Sequence, residues 1–428
     1  MEIILKDVRS LCGLHNIPLK PMTLLVGENS TGKTTFLAMV AHVYQPGFPS
    51  TYPTFNIPPF DLGTYDSIAT YKGGRYGRAA SFSVGYSFKD KDDERRVIAT
   101  YASHRGQPRV RDLRASSSWG EVYIKILPED HTAQVEIKID NRENLKFDID
   151  LRQLGAQDSD IPFFQLLRMA PLQAEPGRKE VPPIFRSDVY VDIMRLLRRI
   201  AGPVLALAPV RTQPRRTYDE FSEEFDPEGD HVPVLLARLW QEEDGTAKAA
   251  LVEELNNFGT SSSLYKRISV RRLGRRPTDP FQILVKMAGP PANIPDVGYG
   301  VSQALPVVVQ SVLADKNGLL LLQQPEVHLH PRAQAALGSF FARLVASERK
   351  HLVIETHSDY LLDRVRLEVA QGTLSAEDVQ ILFFEKQGIE TTVHQIGLDK
   401  HGNVDGAPSS YRRFFLQEED NLFARTQR

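Results

Sequence analysis

The chain has 428 residues, of which 41% are hydrophobic and 25% are charged, and its formal net charge is −2. This composition is typical of a globular protein, and so small a net charge neither favours nor excludes nucleic acid as a partner. At roughly 150 residues per domain, the length predicts two domains or one elaborated domain.

Cysteine content and the longest apolar segments restrict where the chain works. Its single cysteine, Cys12, excludes a disulfide within the chain and a cysteine-based zinc site, which fits a reducing cytosol. The N-terminus lacks the basic start and long apolar core of a signal peptide. The longest apolar runs, such as residues 319–322, are far shorter than the roughly 20 residues that a transmembrane helix needs. We therefore expect a cytoplasmic protein with no membrane contact of its own.

A phosphate-binding motif follows a predicted strand at residues 2–8 and a second strand. Residues 27–34 have the pattern G-x-x-x-x-G-K-T, between a short apolar run and a segment with helical spacing. Gly27 and Gly32 let the backbone curl so that its N–H groups face phosphate oxygens, and the following helix adds positive partial charge. Lys33 is predicted to reach the β- and γ-phosphates, and Thr34 to bind Mg²⁺. The complete motif in this context disfavours the alternative, a glycine turn before an ordinary helix.

The middle of the chain alternates between strand and helix patterns. Period-2 alternation over residues 80–150 predicts an antiparallel sheet with one solvated face. The sequence predicts strands at 81–86, 135–139, 145–149, 204–209 and 281–285, one helix at 187–200 and two helices within 230–258.

The last third has the clearest pattern, in which strands and helices alternate. Such alternation predicts a parallel sheet with right-handed crossovers. Ser358 is the predicted N-cap of its last helix. The predicted elements are a helix at 301–314, a strand at 318–322, a helix at 331–346, a strand at 351–354, the helix after Ser358, and strands at 379–384 and 391–396.

Polar residues end the predicted strand at 318–322. In phosphate-loop hydrolases this strand lies beside the loop strand and ends in acids, which hold Mg²⁺ and orient the attacking water. Here both positions are glutamines, Gln323 and Gln324, and the nearest carboxylate is Glu326. A glutamine carbonyl is a weaker Mg²⁺ ligand than a carboxylate, and its amide is no general base at neutral pH.

Two further stretches carry residues that can contact phosphate. Residues 296–303 place glycines before Ser302 at a predicted helix start, which is either a second anion-binding corner or a simple turn with Ser302 as N-cap. His357 follows the strand at 351–354 and either donates to a γ-phosphate or is a structural histidine. His328 and His330 lack a third metal ligand at supporting spacing, which disfavours a transition-metal site.

Taken together, these stretches resemble the ABC-type ATPases of the SMC/RecF-like class. The closest resemblance is to the bacterial group that includes the overcoming-lysogenization-defect (OLD) proteins and stand-alone ATPases of anti-phage systems. The similarity covers both ends of the ATPase core and is weaker over residues 45–200. The residues that carry it are 27–34, 298–303, 324–331 and 355–358, with 209–215 similar to the central segment of that group.

The resemblance implies an α/β fold with an ABC-type P-loop core of mixed parallel and antiparallel strands. It divides the chain into a core at 1–44 and 281–428, an antiparallel β subdomain at 65–150 that contributes to it, and an inserted, mostly antiparallel and helical region with basic residues at 151–280. OLD nucleases also carry a C-terminal nuclease domain. Only about 60 residues follow the helix after His357, too few for such a domain, so we expect no nuclease in this chain.

The resemblance also implies ATP-driven head-to-tail dimerisation with two composite sites and a separate effector, a nuclease or toxin, in anti-phage defence or DNA maintenance. His357 would be the switch histidine, and His330 and Pro331 would meet the partner subunit. The implied ATP contacts are Gly27, Asn29, Ser30, Gly32, Lys33, Thr34 and Thr35, with Gly300, Ser302 and Gln303 from a second copy. The implied Mg²⁺ ligands are Thr34 and Gln323, and the implied catalytic residues are Gln323, Gln324, Glu326 and His357.

Family members usually have an acid at the position of Gln323 and often at that of Gln324. Their absence leaves three interpretations: slow or absent hydrolysis, substitution by Glu326, or positions altered to trap ATP. A transporter subunit is a second candidate, disfavoured by the missing L-S-G-G-Q signature and the long insertion between Lys33 and Gln323. A scaffold that binds ATP without turnover is the third.

Basic residues form a cluster that can contact a phosphodiester backbone. The alternatives are a solvated strand pair and a contact with an acidic partner. A second basic segment at 104–114 carries the same alternatives. A tail with Arg412 and Arg413 follows the last predicted strand. The residues predicted to contact DNA are Lys266, Arg267, Arg271, Arg272, Arg275 and Arg276.

Overall fold

A computed structural model describes most of the chain. The described residues are 1–51, 53–74, 77–127, 131–139, 144–154, 161–173, 187–198, 203–219, 224–241 and 245–411. The last two residues of the predicted helix at 187–200, and the basic tail with Arg412 and Arg413, lie outside these ranges.

The predicted alternation of strands and helices is confirmed, with boundaries that differ by a few residues. The helices are α1 Lys33–Val43, α2 Tyr65–Ile68, α3 Phe163–Gln173, α4 Asp188–Arg198, α5 Val232–Leu239, α6 Thr246–Ser262, α7 Tyr299–Leu313, α8 Pro331–Glu348 and α9 Asp359–Ala370. Within the described ranges, no helix is both long and apolar enough to cross a membrane.

The strands fall into two large sheets and several short pairings. The first thirteen are β1 Glu2–Val8, β2 Leu11–Pro18, β3 Met22–Gly27, β4 Asn56–Ile57, β5 Phe60–Asp61, β6 Tyr71–Gly73, β7 Gly77–Arg78, β8 Phe82–Asp90, β9 Asp93–His104, β10 Gln107–Ser117, β11 Gly120–Leu127, β12 Thr132–Ile139 and β13 Asn144–Asp150. The remainder are β14 Val204–Leu207, β15 Arg267–Arg272, β16 Phe281–Lys286, β17 Ala292–Asn293, β18 Leu319–Gln323, β19 His351–Glu355, β20 Val379–Gln387, β21 Glu390–Leu398 and β22 Val404–Asp405.

The sheet that contains the phosphate-loop strand has the order β14-β18-β19-β3-β20-β21-β22 within the described chain. Its strands are parallel from β14 to β20 and antiparallel from β20 to β22, so the predicted α/β fold with a mixed sheet is confirmed. The prediction that β18 lies beside β3 is wrong. The crossover through α8 returns the chain next to β18, so β19 occupies the position between β18 and β3.

The second sheet is antiparallel, as the alternating pattern predicts, and has the order β13-β12-β11-β10-β9-β8-β1-β2 among the described residues. The hairpin β1–β2 joins this sheet through β8, so the chain enters the molecule in one sheet and crosses to the other at β3. The turn of this hairpin nevertheless lies beside the phosphate loop, since Arg9 in the turn donates to the hydroxyl of Thr35.

Helix α1 lies between the two sheets, which explains why it is apolar on nearly every side. On one side Phe36 packs on Phe384 of β20, with ring centroids 5.9 Å apart. On the other, the ring nitrogen Nε2 of His42 is 3.1 Å from the hydroxyl oxygen of Tyr101 in β9. Packing on both sides fixes the helix, and with it the phosphate loop at its N-terminus.

The predicted inserted region, residues 151–280, contributes a strand to the sheet that contains β3. Strand β14 lies within the predicted inserted region at 151–280, yet it pairs in parallel with β18. Helix α6 packs on α8, where Phe258 and Phe340 have ring centroids 6.0 Å apart and Arg343 pairs with Glu254 at 3.1 Å. The strands β15–β17 form a small antiparallel sheet. The division into a core and an inserted region stays a prediction, with β14 as the strand that joins the two.

Candidate functional site

Polar residues follow four neighbouring parallel strands, and the carboxyl ends of such strands meet at one edge of a sheet. The phosphate loop follows β3. Gln323 and Gln324 end β18, and Glu355 ends β19. Arg211 comes shortly after β14. The fold therefore brings the predicted phosphate loop, the glutamines and the segment Glu355-Thr356-His357-Ser358, called here the E-T-H-S segment, to a single edge.

The phosphate loop has the backbone that its glycines predict. Gly27 and Gly32 have φ angles of 139° and 97°, which glycine adopts readily. A Cβ on Gly27 would lie 2.3 Å from the carbonyl oxygen of Phe384, so only glycine fits there. Asn29 and Ser30 are exposed at the top of the loop, where a ligand can reach them.

Lys33 is folded back into the loop. Its ammonium nitrogen Nζ donates to the carbonyl oxygens of Gly27, at 2.9 Å, and Glu28, at 2.6 Å. Burial lowers the pKa of the Lys33 side chain, and the carboxylates of Glu355 and Glu28 oppose this shift. Among the described residues, the acceptors of its hydrogen bonds are neutral carbonyls, so an entering phosphate would offer it a stronger, charged acceptor.

A carboxylate stands next to the residue predicted to bind Mg²⁺. The hydroxyl group of Thr34 donates to Oε2 of Glu355 at 2.9 Å. Glu355 is only 5% exposed, and burial raises the pKa of its carboxyl group, against the Thr34 hydrogen bond and the Lys33 charge. Sequence reasoning considered the E-T-H-S segment for its histidine and missed this glutamate. A signal was present, because Glu355 is the last residue of a strand that ends at the phosphate edge.

The two glutamines differ in their surroundings. Gln323 is 6% exposed, lies opposite Glu355 in the β18–β19 register, and its Nε2 has no hydrogen-bond partner among the described residues. Gln324 has a φ of 41° and donates its backbone N–H to the carbonyl oxygen of Glu355 at 2.8 Å. Gln324 therefore turns out of the strand, while Gln323 stays buried in line with it.

Glu326 holds the segment that follows β19. Its Oε1 accepts hydrogen bonds from the hydroxyl of Thr356 and the backbone N–H of His357, both at 2.8 Å. Burial raises the pKa of Glu326, and these hydrogen bonds oppose the shift. The residue His357 is exposed overall, but neighbouring atoms cover part of its ring; this partial burial, followed by the charge of Lys33, lowers the pKa of the imidazole. Glu326 thus positions His357 at the edge that carries the phosphate loop.

Arg211 is a second residue to which the sequence assigned no role. It is 2% exposed, and no described residue accepts a hydrogen bond from any of its three guanidinium nitrogens. Burial lowers its pKa to about 10, and the charge of Glu326 opposes this shift. Uncompensated burial of a cation is costly, so the nearby carboxylate of Glu326 contributes to keeping Arg211 charged.

The turn between β1 and β2 forms one wall of the phosphate loop, and the sequence did not indicate this. The guanidinium of Arg9 donates to the Thr35 hydroxyl at 3.3 Å and to the carbonyl oxygen of Leu62 at 3.2 Å. A Cβ on Gly32 would lie 3.1 Å from the hydroxyl oxygen of Ser10. Thr35 is therefore fixed from outside the motif, by a residue of the antiparallel sheet.

The stretch at 296–303 begins α7, but Ser302 is not its N-cap. The helix begins one turn earlier, with Gly298 as N-cap, and the Ser302 hydroxyl donates back to the carbonyl oxygen of Tyr299 at 2.8 Å. Ser302 is 7% exposed and Gln303 is 1% exposed, so neither side chain lies open on the surface. The N-cap interpretation is wrong because the glycines, and not the serine, start the helix.

The open end of α7 consists of Gly298 and Tyr299. Both are exposed, and a Cβ on Gly298 would have no heavy atom within 4 Å. The ring of Tyr299 packs edge-on against the exposed His328, with centroids 5.2 Å apart. A Cβ on Gly300 would lie 3.4 Å from the backbone oxygen of His328. The start of α7 and the loop after β18 therefore form one surface, defined here as Gly298, Tyr299 and His328.

Comparison with known proteins agrees with this geometry. Residues 22–363, well over half of the chain, match the AAA_21 family model, described as "AAA domain, putative AbiEii toxin, Type IV TA system". The chain belongs to this family. The matched residues run from β3 into α9 and so include the phosphate loop, both glutamines and His357.

Individual relatives of this AAA_21 chain are distant. It is 21% identical over 375 residues to an OLD nuclease of Thermus scotoductus, and the match covers 86% of this chain and 60% of that protein. The head of an Smc protein bound to the C-winged helix domain of ScpA is 12% identical, with a TM-score of 0.45, covering 93% of this chain and 98% of that one. The SMC head domain of Thermotoga maritima is 10% identical, with a TM-score of 0.39, covering 92% and 97%. The predicted resemblance to the OLD-related group is confirmed by the family match and the OLD nuclease.

The predicted DNA-contacting residues of this AAA_21 chain lie on the hairpin β15–β16 and its turn. Five of the six are exposed, and Arg272 is half-buried. The Arg272 guanidinium lies 5.8 Å from the ring centroid of Phe281 and donates to the carbonyl oxygens of Pro277 and Asp279. The exposed residues are Lys266, Arg267, Arg271, Arg275 and Arg276. The second basic segment, 104–114, forms the turn of the β9–β10 hairpin and most of β10.

Proposed function

We propose that this chain binds ATP with Mg²⁺ at the β3–α1 loop and dimerises head-to-tail around the nucleotide. One observation supports it above the others: the ammonium group of Lys33 lies in the loop against the carbonyls of Gly27 and Glu28, beside Thr34 and Glu355. A cation aimed into a glycine-rich loop at a helix N-terminus is the arrangement that phosphate needs. Membership of a family of AAA domains supports nucleotide as the ligand.

The residues beside the loop also fit Mg²⁺. This ion takes oxygen ligands and keeps several waters, so one hydroxyl and one carboxylate near the phosphates suffice. Thr34 is exposed and supplies the hydroxyl, and Gln323 and Glu355 end the two adjacent strands. Bound Mg²⁺ would neutralise charge on the phosphates. The chain itself would orient the ion through Thr34 and hold the phosphates through Lys33 and the loop N–H groups.

We propose that ATP turnover at this site is slow. Gln324 stands where related enzymes often carry a carboxylate, and an amide cannot accept a proton from water at neutral pH. Glu326 is a poor substitute because it is buried, at 6% exposed, and its Oε1 holds the segment after β19 through two hydrogen bonds. These contacts favour a long-lived ATP-bound state. A scaffold without any turnover is the limiting case.

In the proposed dimer, the surface of Gly298, Tyr299 and His328 faces the nucleotide held by the second copy. Its position supports this, because the α7 N-terminus is exposed, carries positive partial charge and lies beside the loop that leaves β18. Ser302 would act from within the helix, where its hydroxyl donates to the carbonyl oxygen of Tyr299. Gly300, which has no side chain, would let the start of α7 approach the nucleotide of the second copy closely. His330 and Pro331, which begin α8, continue the same loop.

The experiment that tests this function measures oligomeric state by light scattering, with and without ATP and Mg²⁺. We expect a monomer that becomes a dimer with ATP, and no dimer for Lys33→Ala, whose affinity for ATP should fall by roughly 10²-fold with the loss of charged hydrogen bonds. Lys316→Ala removes an exposed lysine elsewhere and is the matched control. A protein that stays monomeric with saturating ATP contradicts the proposal.

The dimer would act as a switch for a separate effector, a nuclease or a toxin, in anti-phage defence or DNA maintenance. The distant relative named an OLD nuclease supports a link to nucleic acid, and the toxin–antitoxin description of the family supports an effector function. The chain spans 60% of that relative's length.

We propose that the β15–β16 hairpin contacts duplex DNA through its exposed basic residues. Each phosphate contact adds about 0.9 to the slope of log affinity against log salt. Replacing Arg267, Arg275 and Arg276 by Ala is expected to flatten that slope by about 2 to 3 in filter binding across a salt series. The control replaces Lys89, Lys91 and Lys316, three exposed lysines far from the hairpin in sequence. An unchanged slope would remove the hairpin from the DNA contact.

A further inference from the structure

We propose that Glu355 supplies the carboxylate on the Mg²⁺ side of the nucleotide site, in place of the acid that is missing at Gln323. The inference rests on the proposed binding of ATP with Mg²⁺ at the phosphate loop, and it assigns the metal-side role to a residue of a different strand. Three features of the structure carry it: a direct contact, the order of the strands and the burial of the glutamate.

The contact is with the group predicted to bind the ion. Oε2 of Glu355 accepts a hydrogen bond from the Thr34 hydroxyl at 2.9 Å. A carboxylate at this distance from a metal-binding hydroxyl lies close enough either to bind the ion or to accept a hydrogen bond from one of its waters. Mg²⁺ commonly keeps several waters and uses one or two carboxylates, so both arrangements are usual for this ion.

The strand order explains how an acid at the end of β19 can take the role of an acid that is missing at the end of β18. Gln323 and Glu355 are partners in the parallel β18–β19 pair, and each is the last residue of its strand. Neighbouring strands lie about 4.8 Å apart. Since β19 lies between β18 and β3, a side chain that ends β19 starts one strand nearer to Thr34 than one that ends β18. A carboxylate at 355 therefore reaches the metal side of the loop without any shift of the backbone.

Burial of Glu355 indicates a charged partner. The residue is 5% exposed, and burial of a carboxylate is costly unless opposite charge and hydrogen bonds compensate it. The neighbouring charge is that of Lys33, whose ammonium group donates to the loop carbonyls of Gly27 and Glu28. A divalent cation beside Thr34 would add further positive charge. Gln323, whose amide nitrogen has no hydrogen-bond partner among the described residues, lies opposite Glu355 in the strand pair, where that nitrogen can donate to the carboxylate.

The alternative is that Glu355 only anchors the side chain of Thr34. The variant Glu355→Gln separates the two roles, because glutamine keeps an oxygen that accepts from Thr34 and loses the negative charge. The second variant, Glu355→Gln combined with Gln323→Asp, returns one carboxylate to the neighbouring strand. If Glu355 only anchors Thr34, neither the loss of its charge in the first variant nor the return of a charge in the second should change metal binding.

The test measures the affinity for a fluorescent ATP analogue in EDTA and in Mg²⁺, together with the binding of Mn²⁺ to the ATP complex by electron paramagnetic resonance. For the unchanged protein we expect Mg²⁺ to tighten nucleotide binding by about 10-fold or more. Glu355→Gln should lose this enhancement and bind Mn²⁺ in the ATP complex more weakly, while keeping its affinity in EDTA, which also reports an intact loop. The double variant should regain both.

The outcomes distinguish the inference from the function beneath it. If Glu355→Gln keeps the full Mg²⁺ enhancement and the Mn²⁺ signal, Glu355 is a structural residue and the inference is overturned. If the unchanged protein binds no nucleotide in either condition, the proposed function itself fails. If Glu355→Gln also loses binding of the ATP analogue in EDTA, the double variant decides. Recovery of nucleotide and Mn²⁺ binding on adding Gln323→Asp supports the metal-side role of Glu355, and no recovery contradicts it.

Discussion

Replacing Gly298 by Glu is expected to abolish ATP-dependent dimerisation and leave ATP binding by the monomer unchanged. Gly298 is the N-cap of α7, it is exposed, and a Cβ there meets no heavy atom within 4 Å. The monomer should tolerate glutamate well, since negative charge at a helix N-terminus stabilises it by about 0.3–1 kcal/mol. In the proposed dimer the same carboxylate would face the γ-phosphate of the partner's ATP, and like charges in contact cost several kcal/mol. Light scattering and nucleotide titration measure the two effects separately.

The matched control for this variant is Gly289→Glu. Gly289 also has no heavy atom within 4 Å of a built Cβ, but it lies in the turn between β16 and β17 and not at the start of α7. We expect Gly289→Glu to dimerise normally. Ser302→Arg is a less useful probe, because Ser302 is buried and a large cation there should destabilise the monomer itself. Dimerisation of Gly298→Glu at the unchanged ATP concentration would exclude the start of α7 from the interface.

Local patterns in the sequence were sufficient for the elements and for the phosphate loop. The alternating runs of the antiparallel sheet, the helical spacing of α8 and the N-cap at Ser358 each depend on neighbouring residues, and the structure shows all three. The loop is equally local, because its glycines, its lysine and its threonine lie within eight positions. These features are determined by residues that the chain itself places side by side.

Features that depend on pairing between distant strands could not be predicted in the same way. Only the sheet order shows that β19 separates β18 from β3, and this order is what brings Glu355 to Thr34 over 321 positions of sequence. The contact between Arg9 and Thr35 likewise needs the antiparallel sheet to be in place. Burial was hidden as well, since Ser302 belongs to a plausible motif but faces inward once the helix begins at Tyr299.

Together these positions indicate how the work is divided at the proposed nucleotide site. Thr34 and Glu355 lie on the metal side, Lys33 lies in the loop, and Glu326 fixes the segment that presents His357. None of these residues is placed to act as the general base for the attacking water. Gln324, which turns out of β18 with a φ of 41°, is the position at which a base would complete the set.

Replacing Gln324 by Glu is therefore expected to raise the rate of ATP hydrolysis by about 10²-fold or more, the usual contribution of a positioned general base. Glutamate has the shape of glutamine, and the backbone N–H that fixes residue 324 to the carbonyl oxygen of Glu355 is unaffected. A phosphate-release assay with saturating ATP and Mg²⁺ measures the rate. Gln371→Glu makes the same change at an exposed position after α9 and serves as the control.

The gain should disappear when Lys33→Ala is added to Gln324→Glu, which ties the new activity to this loop and not to a contaminating ATPase. Gln324→Glu alone should also shorten the lifetime of the ATP-bound dimer, because hydrolysis removes the γ-phosphate that the two copies would share. Brisk turnover by the unchanged protein would show that the glutamines do not arrest the site. An unchanged rate in Gln324→Glu would mean that the block lies elsewhere, with Gln323 as the next position to convert to Asp.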